Sequence, residues 1–298
     1  MAQGTLTRTQ MSEVELPVPG RRRSVWQEFA RNRLAIIGLV IFILLVGGAV
    51  AAPVLTSYDP NAVTYKFLAR PSREHWLGTD DVGRDVLSRL IYASRISVTI
   101  GVSVSLITIC LGTLVGAIAG YYGGRLDAFI CAAVNLLLSI PLIPLAMVLG
   151  AFLKTNLQFI IMILGLLSWP GIARIIRAEF LSLKEREFTL AARVVGASDW
   201  RIILRHILPN TVGPMIVAAT LGVASAILAE SALSYLGYGI QPPTASWGNM
   251  LMNAQRYFRT YPTLAIYPGA LISLTVVSIN FIGDGLRDAL DPRLRTQG

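Results

Sequence analysis

The chain has 298 residues, 54% of them hydrophobic and only 14% charged, with a mean hydropathy of +0.59. A soluble domain carries about 25% charged residues, so this composition excludes a chain that meets water on all sides. The net charge of +9 does not indicate nucleic acid, because the arginines flank apolar runs instead of forming a stripe with interleaved aromatics; that placement suits orientation in a bilayer with anionic lipid.

Residues 1–33 form a polar arm with Arg21, Arg22, Arg23, Arg31 and Arg33 near its end. Residues 34–56 follow as a first transmembrane helix, since Leu34 to Leu55 carries no charge and is long enough to cross a ~30 Å hydrocarbon core. Ala49-Val50-Ala51 imitates a leader cleavage site. The apolar run, however, exceeds the ~7–15 residues of a signal core and follows a long polar arm, which predicts an uncleaved span. Residues 57–95 form an outer loop. At its end Asp85, Ser88, Arg89, Tyr92 and Arg95 recur at three- and four-residue steps opposite Val86, Leu87, Leu90 and Ile91, the pattern of a short amphipathic helix at the interface, or of one that leads into the next span.

Five further apolar runs, at about 96–120, 126–153, 157–176, 211–236 and 263–283, fall within 96–286, and residues 287–298 form a tail. Lipid offers no partners to open backbone groups, so the fold class is an all-α membrane protein of about six transmembrane helices. Gly112, Gly116 and Gly120 repeat at the four-residue step that brings two helix backbones close. Pro141 and Pro144 interrupt the third span and Pro170 the fourth, each removing a helix hydrogen bond. Such kinks occur beside translocation paths and also where nothing passes; Ser139, Pro141 and Pro144 are therefore candidate path-lining residues. With the N-terminus inside, the inner segments hold 17 of the 26 Lys and Arg and the outer ones 9, a moderate fit to the positive-inside rule. Cys110 and Cys131 lie in apolar runs, and His75 and His206 stand apart, so no metal-ligand spacing exists.

The inner segment 177–210 is the most informative. Helix formers run to Val195, Gly196 is a stop, and Ser198 or Asp199 caps a second short helix with Trp200, Ile203, Leu204 and Ile207 at helical spacing, ended by Pro209. Two partly apolar helices held outside the membrane suit docking, or else lie on the bilayer surface.

Leu190-Ala191-Ala192-Arg193, then Gly196-Ala197-Ser198, with Ile203 and His206-Ile-Leu-Pro209-Asn210 beyond, resembles the EAA loop of importer permeases in the ATP-binding cassette superfamily. Three more blocks, His75–Arg89, Ala232–Gly248 and Gly283–Arg293, are similar to the peptide/nickel branch, in the arrangement of its C-type subunit. Leu190 departs from the pattern, standing where the namesake Glu belongs; Ala132 and Asn135 stand where the branch often carries Arg and Asp. The resemblance implies a type I importer permease fold in a bacterial cytoplasmic membrane, with both termini cytoplasmic. It makes Leu190, Ala191, Ala192, Arg193, Gly196, Ala197 and Ser198 the coupling surface for an ATPase. It also implies a second homologous permease, one or two cytoplasmic ATP-binding subunits and an extracytoplasmic substrate-binding protein. Among branch substrates, di- and oligopeptides are the first expectation, with nickel, glutathione or another small solute as the alternative.

The chain itself is not read as an enzyme. None of its lysines, Lys66, Lys154 and Lys184, follows a glycine, so the Gly-x4-Gly-Lys-Ser/Thr phosphate loop is missing and no cofactor is expected here; ATP and Mg belong to the partner subunits. The competing class is an ion-coupled secondary transporter, for which Glu230, also a candidate path residue, is the main intramembrane carboxylate.

Overall fold

A computed structural model describes residues 25–152 and 156–290. Among these residues the chain is helical, and its only bridge of β type joins Thr79 to Asp85. A short helix α1 (Val25–Arg31) leads into α2 (Arg33–Val50), whose N-cap Asn32 accepts the Ala35 N–H at 3.2 Å. The first apolar run then turns at Ala51 into the single-turn α3 (Ala52–Leu55), because Pro53 has no N–H to continue the ladder.

Segment 57–85 folds back as a cap over the start of α4 (Val86–Tyr122). Thr64 N–H donates to Gly83 O at 2.9 Å, Leu68 to Asp80 O at 3.0 Å and Thr79 to Ala69 O at 3.1 Å. The amphipathic stretch is therefore not a separate interfacial helix: it is the first part of a 37-residue helix. Asp85, Ser88 and Arg89, expected to face water, are buried under the cap. Asp85 receives Ser88 N–H at 2.8 Å and lies 2.9 Å from His75 Nδ1, while Arg89 donates to Pro60 O at 3.1 Å. On the cap's surface Lys66 and Glu74 are paired, and their hydrogen bond and opposite charges hold the Glu74 carboxyl below its ordinary range and raise the Lys66 ammonium.

The predicted third span is broken. It consists of α5 (Gly124–Ser139) and α6 (Leu142–Phe152), set at 79° to each other. Pro141 sits at the break, where its missing N–H ends the ladder. Then α7 (Leu157–Lys184) continues past the buried Pro170 as one helix, two turns beyond the expected end at 176. Next come α8 (Glu187–Val194) and α9 (Asp199–Ile202). A π turn over Ile203–Ile207 joins α9 to α10 (Leu208–Tyr235). Pro209 thus does not interrupt this helix. It falls in the first turn after the π segment, where an N–H is not required, and Asp199–Tyr235 is one long helical span. The bundle closes with α11 (Trp247–Ala254), which lies between the last two apolar runs, and α12 (Thr263–Leu290). Among the described residues five helices are long and apolar enough to cross a membrane, six if the bent pair counts as one span.

Small residues set the helix crossings. A Cβ at Gly112 falls 2.6 Å from Ile172 Cβ, at Gly116 2.5 Å from Ala173 O, and at Gly120 2.6 Å from Phe180 Cβ, so the glycine stripe of α4 lies backbone to backbone on α7 as expected. Hydroxyls inside the bundle return to helix carbonyls, as Thr275 does to Leu271 O at 2.7 Å, or cross between helices, as Ser105 does to Ala219 O at 2.6 Å.

Candidate functional site

The elbow between α7 and α10 is built from a few anchored residues and a free rim. Thr189 is fully buried and donates to Leu183 O at 2.9 Å, a carbonyl at the end of α7 that also accepts Arg186 N–H at 3.2 Å, and this fixes α8 to α7. Gly196 ends α8 with φ +84; its N–H donates to Arg193 O at 3.0 Å, and Ala197 N–H donates to Ala192 O at 3.0 Å. This pair of bonds is a Schellman closure, in which only glycine adopts the left-handed turn without strain. A Cβ at Gly196 meets no atom within 4 Å, so the backbone angle of the helix stop, not packing among the described residues, demands the glycine.

Ser198 occupies the N-cap position of α9 but makes no side-chain cap bond. Asp199 does not cap either; its Oδ1 accepts the Tyr121 hydroxyl at 2.7 Å and ties the elbow to the end of α4. Ala192 and Ala197 pack on the cluster formed by Ala117, Ile176, Phe180, Ile202 and Ile207. Leu190, Ala191, Arg193, Gly196 and Ser198 stay exposed. Val194 and Val195 protrude furthest, each 87% exposed, beside Trp200 at 67%. With Phe188 and Leu190 they form an apolar rim that no other part of the described chain covers.

A second set of bonds locks the neighbouring helices. Arg177 grips Asp127 with two guanidinium nitrogens, Nη2 to Oδ2 at 2.6 Å, and Arg174 Nη2 donates to Asn135 Oδ1 at 2.9 Å. Asn135, one of the two departures from the branch pattern, is thus used between α5 and α7. Sequence reading missed Tyr121, Asp127, Arg177 and Thr189. Their partners lie up to 78 residues away, and no periodicity joins them.

The candidate path residues are not brought together. Ser139, Pro141 and Pro144 are exposed at the 79° break, where the Ser139 hydroxyl returns to Leu136 O at 2.7 Å. Glu230 lies elsewhere and is fully buried, so it lines no opening of this chain. Its Oε1 accepts the Ser234 hydroxyl at 2.6 Å, and Ser234 Oγ in turn accepts Ile240 N–H at 3.0 Å. Ser97, Ser231 and Ser246 also surround the carboxyl, although Oε2 and the Ser231 hydroxyl have no partner within hydrogen-bond distance. Ser97 Oγ accepts Trp247 N–H at 3.3 Å, and Ser246 caps α11 in a reciprocal box with Asn249. Glu230 is the centre of a polar knot that holds segment 237–254 to α4 and α10. An ion-coupling role has no geometric support in this sealed position.

Comparison with known proteins agrees with this architecture. Residues 112–296 match the family described as "Binding-protein-dependent transport system inner membrane component", and residues 20–71 match the "N-terminal TM domain of oligopeptide transport permease C". The chain is 40% identical to the dipeptide transport system permease protein DppC of Alkalihalophilus pseudofirmus, over 92% of this chain and 90% of that one. It is 38% identical to the oligopeptide transport system permease protein OppC of Bacillus subtilis, over 91% of each, and 42% identical to a putative peptide permease of Brucella suis, over 89% of each. In fold it is similar to a chain of the MetNI methionine ABC transporter solved in inward-facing conformations, with a TM-score of 0.54 and 21% identity over 68% of this chain and 96% of that one. The chain belongs to the family of membrane-embedded permease components of binding-protein-dependent ABC importers.

Proposed function

We propose that this permease forms half of the translocation path of an importer of di- or oligopeptides and that residues 187–199 receive the drive from separate ATPase subunits. The observation that carries the coupling half of this reading is the rim at Leu190, Val194, Val195 and Trp200. These apolar side chains stand in water on a braced elbow, and an interface core is the setting in which such surface gains free energy. Peptide as cargo is supported by the names of relatives near 40% identity, which carry dipeptide or oligopeptide transport in their titles.

The reading assigns the chain to the bacterial inner membrane with both termini cytoplasmic. Its partners are a second homologous permease, one or two ATPases that hold ATP and Mg, and a binding protein delivering cargo at the cap formed by 57–85 and 237–257. Nucleotide closure of the ATPases moves the elbow, and the path opens alternately to the two sides. Leu190 removes an ionic contact that a Glu at that position offers and extends the apolar rim in its place.

The test is gentle purification from native membrane, identification of co-purifying chains by mass spectrometry, and peptide uptake by the reconstituted assembly. A second permease and ATPase subunits in near-stoichiometric amount, with ATP-dependent peptide uptake, are expected. Recovery of this chain alone after crosslinking overturns the coupling assignment, and uptake of a different solute in preference to peptides overturns the cargo.

A further inference from the structure

One member of the polar stripe at the start of α4 has no task in the fold. Arg84 and Arg89 are engaged with Asp80, at 2.7 and 3.6 Å. Arg95, two to three turns along, has no carboxylate partner and no hydrogen-bond acceptor among the described residues. Its guanidinium rests over the Tyr92 ring, 5.9 Å from the centroid, and the side chain is exposed.

Arg95 and Thr99 together line two adjoining hollows. One, of about 340 Å³, lies between α4, Asn61 of the cap and Thr244; the other, of about 390 Å³, lies between α4 and the Val46–Val50 face of α2. Their walls are apolar or neutral, with the Asn61 amide and the hydroxyls of Tyr92, Thr99, Thr244 and Ser103 as the other polar groups, and no carboxylate lines either one. Asp59, nearby in sequence, spends a carboxylate oxygen on Asn61 N–H at 2.7 Å.

A single unpaired guanidinium beside low-polarity walls attracts an anion, and its planar fork of N–H donors matches the two oxygens of a carboxylate. Hollows of this size fall in the ~300–1,000 Å³ range of small-ligand sites.

We infer that Arg95, with Thr99 beside it, forms a carboxylate subsite on the transport route, which takes the C-terminal carboxylate of a peptide. The inference rests on the peptide reading above and narrows it: the cargo must present a free acid at this step. Tyr92 holds the guanidinium by its face, leaving the N–H edge to the ligand. A phospholipid phosphate offers the same chemistry and is the competing source.

The test reconstitutes the complete importer in phosphatidylcholine liposomes and compares uptake of a dipeptide and its C-terminal amide by wild type, Arg95→Gln and Arg95→Lys. The expected result is a fall of about tenfold in free-acid uptake at limiting concentration for Arg95→Gln, the amide unchanged and Arg95→Lys partly restored. Because each variant is compared with wild type on both peptides, the binding protein's own preference cancels. An equal fall for both peptides, or none for either, overturns the subsite; so does loss of co-purifying phospholipid from Arg95→Gln with acid-over-amide discrimination intact, which assigns Arg95 to lipid.

If wild type takes up neither peptide, the peptide reading itself fails, and the subsite is judged by a second measurement. Thr99→Cys in the assembled importer carrying Cys110→Ser and Cys131→Ser is labelled with an anionic and a cationic methanethiosulfonate. Faster anionic labelling that disappears with Arg95→Gln supports an anion site; equal rates refute it.

Discussion

Gly196 illustrates how little of a residue's importance shows in its contacts. Nothing lies within 4 Å of the place a side chain would occupy, yet its φ of +84 closes α8. A branched residue there costs about 1–2 kcal/mol in backbone strain, whereas asparagine tolerates the left-handed region. Gly196→Val is therefore expected to insert normally but lose most peptide uptake, and Gly196→Asn to keep most of it, measured as uptake in vesicles normalised to chain in the membrane. Equal loss in both variants would shift the cause from backbone angle to space that a partner needs. Glu230 gives the opposite lesson. In the sequence it is a lone carboxylate in an apolar run, which suits a structural hydrogen bond as well as an ion relay. In the fold it is enclosed by Ser97, Ser231, Ser234 and Ser246, which come from three separate parts of the chain. No spacing rule assembles them, because the contact depends on how α4, α10 and the cap of α11 meet.

Among the elements, the seam between α4 and α7 was legible and the bend in the third span was only half so. The four-residue glycine step predicts a close crossing, and a Cβ at Gly116 would strike the Ala173 carbonyl at 2.5 Å. Gly116→Val is expected to lower thermal stability in detergent by about 1–3 kcal/mol, the cost of overpacking against backbone that cannot rotate away. Gly171 of α7 is the control, since its Cβ position is empty. Gly171→Ala should be neutral or stabilising by up to about 1 kcal/mol, from helix propensity alone. A melt in which both substitutions act alike would disprove the seam. Length and hydropathy locate the spans because a bilayer imposes them on each segment separately. They leave open whether Arg84–Arg95 lies at the interface or leads into the next span; it leads into α4, and the cap folded over it covers Asp85, Ser88 and Arg89. Nor do they reveal α11, which is too short to leave a hydropathy signal and is fixed by its capping box and by Trp247 in the core.

For the whole molecule, the apolar rim on the elbow is surface that the described residues leave uncovered. Val195→Asp should not change the melting of the free chain, because the side chain is 87% exposed. It is expected to reduce both the ATPase recovered with the chain and the peptide uptake, measured by quantitative mass spectrometry and by transport in vesicles. Full ATPase recovery with full uptake would remove this rim from the interface.

The unbroken helical stretch from Asp199 to Tyr235 then has a mechanical meaning. Its 37 residues, at about 1.5 Å each, make a rod of about 55 Å with the elbow at one end and Glu230 near the other. The π turn at Ile203–Ile207 and Pro214 inside α10 are its irregular points, both in the half nearer the elbow, so everything beyond them tilts as a lever. The serine hydroxyls around Glu230 are the pin at the far end of that lever. A stroke of a few ångström delivered at Val195 would reach segment 237–254 as motion of one stiff part, with no chain of intermediate contacts to relay it.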